Sequence, residues 1–309
     1  MRIGILNDIT LQQHVGGTEL FCDNIIKSAS KYGVEAVLIT PSNFDELVDS
    51  CNNLLATNVA TFSKEQIEKL KSLKYYKIEM DYGYCKMRNG LCQYCDLFKD
   101  GQCTQGREGY YDLLAKARKI IFLNPFQREF FKRDFGRIVN NSICLLIFMG
   151  DLKKFKDYGK VREKNSFLYA GRFFFEKGMD NLLLVAMQNP QANFYFVGWG
   201  LQKYLERILN LRNCYYLGKR DISEMPEIYN KYEHFISLPI WFDTGAITLV
   251  EAELCGMKIF SNNNNKIRSH KWKDVKELRK MVINSEAKLF SLLKGRCKNE
   301  NRTRRKNKT

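Results

Sequence analysis

The sequence predicts an α/β fold of two doubly wound, Rossmann-like domains that face each other across a cleft. Three observations predict it. Short apolar runs alternate with amphipathic stretches along most of the chain. A polar, Lys-rich interval from Asp151 to Asn165 interrupts that alternation, which then restarts. The length of 309 residues, 45% of them hydrophobic, is enough to bury two medium-sized cores.

The chain opens with RIGIL, a helical pattern from about Thr18 to Tyr32, and VEAVLIT, a strand–helix–strand unit. Apolar runs follow at NLLAT (Asn53 to Thr57), YYKIEM (Tyr75 to Met80), KIIFLN (Lys119 to Asn124) and ICLLIF (Ile143 to Phe148). Helical patterns lie among them at Ser63 to Ser72, Tyr110 to Lys116 and Pro125 to Phe135. Beyond Asn165 the runs SFLYAG, NFYFVG, CYYLG, HFISL and KIF alternate with helical patterns near 176–188, 201–210, 224–231 and 247–255. Such alternation predicts parallel sheets covered by helices, with ligands bound outside the carboxyl ends of the strands. The expected organisation is a first domain over 1–150, a linker over 151–165, a second domain over 166–290 and a tail over 291–309. No clear helix is read after Lys271.

Lys and Arg number 50 against 34 Asp and Glu, a formal net charge of +16. Much of the excess is terminal, because residues 291–309 hold eight basic side chains and one acidic, a net of +7. That block is aromatic-free and polar, and disorder is expected of it. It reads either as a tether to an anionic membrane, where each basic residue is worth about 1 kcal/mol, or as a solvated tail. The globular part shows no nucleic-acid-binding motif, so a nucleic-acid partner is not expected. The longest apolar run, Ile143 to Met149, is far shorter than the roughly 20 residues of a membrane-spanning helix. The start MRIGILND lacks the features of a signal peptide. A cytoplasmic location is expected, with or without peripheral membrane contact through the tail.

Ten cysteines in such a chain point to reduced thiols or metal ligands before a disulfide framework. Cys85, Cys92, Cys95 and Cys103 fall within nineteen residues. A structural zinc, free thiols and a disulfide all remain readings of this cluster; a zinc here would organise a loop and do no chemistry.

Two motifs carry chemistry. In FLYAGRFFFEKGMDNLL a strand expected to end at Ala170-Gly171 is followed by Arg172 and Lys177, the second at the start of the next helix. Two cations at a strand end beside a helix N-terminus suit a diphosphate. In PIWFDTGAITLVEAELCGMKIFSN, Asp243 lies in a loop and Gly245-Ala246 begin a helix. Glu251 follows eight residues after Asp243, on roughly the same helix face. Its apolar neighbours Leu249, Val250, Ala252 and Leu254 predict partial burial, so this carboxylate requires a partner.

These two runs, in this order, resemble the donor-site motifs of the GT-B fold glycosyltransferases, specifically the retaining family 4. Supporting matches are GGTEL at Gly16 to Leu20, similar to the family's glycine-rich loop, and FVGWG at Phe196 to Gly200. The resemblance implies that a nucleoside-diphosphate sugar binds the second domain and an unidentified acceptor the first. Arg172 and Lys177 would hold the diphosphate, Glu251 the ribose and Asp243 the sugar, with Gly16, Gly17, Gly245 and Ala246 at the donor. It further implies hexosyl-type transfer with retention and no catalytic metal or cofactor. Two positions depart from the pattern. Asp243 stands where the family usually has Glu, and Met80 where it often has His, leaving Asp81 as a polar contact. Both departures motivate the alternative of a weak or inactive nucleotide-sugar-binding protein.

Overall fold

A computed structural model describes residues 1–13, 16–85, 98–99, 102–103, 108–148 and 150–295. The first domain runs β1 (Arg2–Leu6), α1 (Gly17–Ala29), β2 (Glu35–Ile39), α2 (Phe44–Leu47), β3 (Asn53–Ala56), α3 (Lys64–Ser72) and β4 (Tyr75–Glu79). It continues with β5 (Phe98–Lys99), β6 (Gln102–Cys103), α4 (Tyr110–Lys116), β7 (Ile120–Phe122), α5 (Pro125–Phe135) and β8 (Ser142–Cys144). The second domain runs β9 (Glu163–Phe173), α6 (Met179–Gln188), β10 (Asn193–Gly200), α7 (Gln202–Leu209), β11 (Cys214–Tyr216) and α8 (Met225–Tyr229). It ends with β12 (Tyr232–Ser237), α9 (Ile247–Leu254), β13 (Lys258–Ser261) and α10 (Val275–Leu293).

Helix starts follow local chemistry. Ser63 and Gln66 form a reciprocal capping box on α3. Asn124 caps α5 through the Gln127 amide, with Pro125 at the first helical position, where its missing N–H costs nothing. Asp274 caps α10 through the Glu277 amide.

Both large sheets are parallel. Their orders are β2-β1-β3-β4-β7-β8 and β11-β10-β9-β12-β13. Strand order reverses between β1 and β3 in the first sheet and between β9 and β12 in the second. Diverging loops at these points open the crevices where doubly wound sheets take ligands.

The chain passes between the domains twice, and both passages differ from the sequence expectation. The run ICLLIF is not one strand. Only Ser142–Cys144 pairs in the sheet; beyond it Leu145 and Ile147 fill the first core while Leu146 and Phe148 fill the second. The interval 151–165 is therefore not the crossing. Phe155 is buried in the second core, Arg162 donates to the carbonyls of Tyr229 and Tyr232, and β9 already begins at Glu163. Its lysines made this surface segment read as a linker. The return is α10, which extends past the boundary drawn at 290. Leu278 and Val282 pack in the second core, and Leu289, Phe290, Leu292 and Leu293 in the first. Each buried side chain of this size contributes roughly 1.5–3 kcal/mol. The two passages touch where Leu146 N–H donates to Ser285 Oγ at 3.0 Å.

The expectations for Cys92, Cys95 and residues 296–309 lie outside the described residues, as does the side chain of Cys103; Cys85 is buried. Among the described residues no helix is long and apolar enough to cross a membrane.

Candidate active site

A cavity of about 950 Å³ lies between the carboxyl ends of the two sheets. Gly16, Gly17, Asp81, Arg172, Lys177, Asp243, Gly245, Ala246 and Glu251 all line it. Every site residue expected from the sequence, the cysteines apart, meets in this one space.

Arg172 arrives on β9, which continues two residues beyond the expected end at Gly171, so this cation is presented by the sheet itself. Its register partner on β10 is Trp199, which also lines the cavity. Lys177 follows in a short turn that ends at Gly178, whose φ of 77° lies in the left-handed region. A Cβ at Gly178 would collide with the Leu238 carbonyl oxygen, so only glycine fits there. The amides of Ile240 and Trp241 bond back to Glu176 O at 3.1 and 3.3 Å. The lysine turn is thereby fixed to the loop after β12, which carries Asp243.

Lys177 Nζ meets Asp243 Oδ2 at 2.7 Å, with the two side chains 29% and 15% exposed. Asp243 is positioned through its backbone, its N–H donating to Asn264 O at 2.8 Å and its carbonyl accepting from Lys266 N–H at 3.0 Å. Gly245 brings the domains close, since a Cβ there would stand 3.1 Å from Leu123 Cδ1 of the first domain.

Glu251, on α9, is buried. The Tyr229 hydroxyl donates to its Oε2 at 2.8 Å. Burial pushes the Glu251 carboxyl up to about 7, and the tyrosine bond opposes that rise. Burial also raises the Tyr229 hydroxyl well above its ordinary value, so it serves as a proton donor.

Across the cavity, Gly16 and Gly17 begin α1, and the space before Gly17 is open, with nothing within 4 Å of a Cβ placed there. Glu19, in the first turn of α1, accepts from Asn7 Nδ2 at 3.2 Å. Met80 is buried, and its carbonyl accepts from Thr244 Oγ1 at 3.0 Å across the domain boundary. Asn124 Nδ2 to Thr244 O at 2.8 Å, and His270 Nε2 with Leu123 O at 2.7 Å, join the same edge.

The lining is asymmetric in charge. Among the described residues the lining cations, Arg172, Lys177, Lys219 and Arg220, all come from the second domain, which also brings Asp221, Asp243 and Glu251; the charged residues of the first are the acids Asp8, Glu19 and Asp81. Asp8, Lys219 and Arg220 lie outside the motifs read from sequence, while Glu19 and Trp199 stand inside GGTEL and FVGWG with no role assigned to them there. Lys219 and Arg220 carry the signal that exposed Arg172, basic residues just past a strand, in CYYLGKR.

Residues 151–277 match the family model described as "Glycosyl transferases group 1". Among solved structures, HepE of Anabaena, crystallised with UDP and glucose, superposes with a TM-score of 0.63 at 12% identity over 95% of each chain. Sucrose-phosphate synthase from Thermosynechococcus elongatus gives 0.67 at 13% identity, covering 95% of this chain and 97% of its own. The catalytic domain of starch synthase IV from Arabidopsis thaliana, bound to ADP and acarbose, gives 0.64 at 9% identity, covering 97% and 93%. The chain has the GT-B fold. An "Uncharacterized 41.2 kDa protein in cps region" of Klebsiella pneumoniae is 29% identical over 161 residues, 49% of this chain; the match spans 44% of that protein's length. Within the GT-B fold, the group 1 match covers the domain that carries the cations.

Proposed function

We propose that this protein is a retaining glycosyltransferase that moves a hexose-type sugar from a nucleoside diphosphate to an acceptor, without a catalytic metal. The observation that carries the reading is the charge asymmetry of the interdomain cavity. Departure of a nucleoside diphosphate builds negative charge on its outer phosphate, and fixed cations aimed at that position stabilise the transition state more than the ground state. Arg172 and Lys177 occupy such a position at the switch point of the second sheet. Glu251, once ionised, accepts the two ribose hydroxyls while Tyr229 holds its other oxygen. Asp243 faces the sugar, tied to Lys177, and Asp81 offers a polar contact from the acceptor side. The backbone of Gly245-Ala246 and the Gly16-Gly17 loop border the donor from either domain. The solved relatives named for UDP and ADP, and the family match over the second domain, support a nucleotide-sugar donor.

A panel of UDP-, GDP- and ADP-sugars incubated with the purified protein should give release of one nucleoside diphosphate, and the proton NMR coupling of the new or hydrolysed anomeric centre should show retention. Absence of both binding and release across the panel would sink the reading. Met80 motivates a second reading, a binding-only protein of the same fold, because its buried side chain brings no titratable group to the acceptor face. Tight calorimetric donor binding with no turnover in EDTA or in Mg²⁺ would favour that one.

A further inference from the structure

A second cavity of about 800 Å³ opens in the first domain, bounded by the loop after β3 (Thr57 to Ala60), α3, Gly83 and the start of α4. It lies at the carboxyl ends of β3 and β4, beside the reversal between β1 and β3, where a doubly wound sheet takes ligands. The linings of the two cavities meet at a hydrogen bond. Asn58, which lines the second cavity, donates through Nδ2 to Oγ1 of Thr18, which lines the first, at 3.2 Å.

The lining identifies the kind of ligand. Lys64, Lys71 and Lys77 are matched by Glu68, Glu108 and Asp112, so the space carries no excess charge of either sign. Lys71 is bound to Glu68 at 2.7 Å, and Lys77 spends its donors on Glu79, Thr57 O and Ile78 O. Little cationic capacity is left for a phosphate. The remaining polar groups both donate and accept, as hydroxyl-bearing ligands require, and Phe62 and Tyr110 add ring surface. Beneath Gly83, Oε2 of buried Glu79 has no hydrogen-bond partner among the described residues. A Cβ at Gly83 would collide with the Tyr110 hydroxyl, which donates to Glu79 Oε1 at 2.6 Å, so glycine there makes room for the Tyr110 ring at the cavity wall. A cavity of this size holds a ligand of drug-like bulk, roughly two or three sugar rings.

We propose that this second cavity binds the inner rings of a neutral oligosaccharide acceptor whose terminal ring reaches past the Asn58–Thr18 contact into the donor cavity. The proposal rests on the glycosyltransferase reading and adds the acceptor class to it. The test is saturation-transfer NMR on the full chain with neutral di- and trisaccharides of glucose, galactose, mannose and N-acetylglucosamine as probes. It uses the unsubstituted protein and Ala60→Trp, which places an indole at the cavity mouth from an exposed position. Binding of at least one trisaccharide is expected, weakened tenfold or more in Ala60→Trp at an unchanged melting temperature. Equal binding by both proteins, or no binding by any probe at millimolar concentration, would overturn the proposal. A parallel UDP titration on the unsubstituted protein keeps the two readings apart. Lost nucleotide binding with retained, indole-sensitive saccharide binding would sink the transferase reading and support the saccharide cavity.

Discussion

Two lysine–carboxylate pairs, one in each domain, have nearly the same length and different settings. Lys77 and Glu79 meet at 2.9 Å with 3% and 1% of their side chains exposed; Lys177 and Asp243 meet at 2.7 Å with 29% and 15% exposed. The sealed pair is satisfied from several sides, by two backbone carbonyls at the ammonium and by the Tyr110 hydroxyl on Glu79 Oε1 at 2.6 Å. The open pair has one partner each way at its charged ends, apart from the 3.3 Å bond from Gly245 N–H to Asp243. A buried pair is costly to break and nothing in solution replaces its members. An open pair on a cavity wall exchanges more readily, and under the proposed function a diphosphate takes the place of Asp243 at Lys177. The first pair therefore ties β4 into its sheet, and the second, under the proposed function, keeps a position for a ligand.

The comparison can be broken most severely at Lys77. Lys77→Met is expected to lower stability by about 3–5 kcal/mol, because it strands the Glu79 charge, whereas Lys77→Met with Glu79→Leu should recover much of the loss. Urea midpoints check both, and a double variant no more stable than the single one would contradict the sealed-pair account. Lys177→Ala should leave the urea midpoint within about 1 kcal/mol of the parent, while donor turnover falls by about 10²–10³-fold. Turnover within threefold of the parent would remove Lys177 from the diphosphate site.

Glu251 sharpens the contrast through pH. Its folded value of about 7 lies above the ordinary 4.5, so the folded state holds a proton that the unfolded state has released. Stability from this group is full below pH 4.5 and lost as pH rises to 7, a change of roughly 3 kcal/mol. Melting curves at pH 5 and pH 8 should show this slope in the parent and not in Glu251→Gln. If Glu251 binds the ribose hydroxyls as proposed, donor binding at pH 6 should release a proton, visible as a buffer-dependent calorimetric enthalpy. The smallest effect belongs to Lys160 and Glu227, a pair 58% exposed on each side. Lys160→Ala should cost under about 1 kcal/mol by urea titration, and a larger loss would undo the exposure argument.

The residues that meet in the interdomain cavity were legible where charge falls at strand ends and helix starts. Arg172, Lys177 and Asp243 each stand at such a junction with glycines beside them, while Glu251 lies within α9 among apolar neighbours. Lys77 was illegible for the opposite reason. In YYKIEM a lysine and a glutamate two apart read as one polar face of a strand, and nothing local reveals that β4 lies between β3 and β7 with both faces covered. The parallel sheets could be read from alternation, but not the two crossings. ICLLIF looks like one buried strand, although its alternate residues serve different cores. In α10 the apolar pattern lapses over 284–288, where the helix passes from one core to the other, so the sequence shows no clear helix there.

That last helix also governs when the molecule can finish folding. Asn53 Nδ2 donates to Leu293 O at 2.8 Å, a contact between residues 240 positions apart, and four apolar side chains of the first core come from the same turns. On the ribosome the first domain is made first yet stays incomplete until residue 293 has emerged, while the strands of the second can already assemble. Contacts so distant in sequence slow folding, and a nascent chain exposing an unfilled core is prone to aggregate. The domain synthesised earliest is the one that closes last.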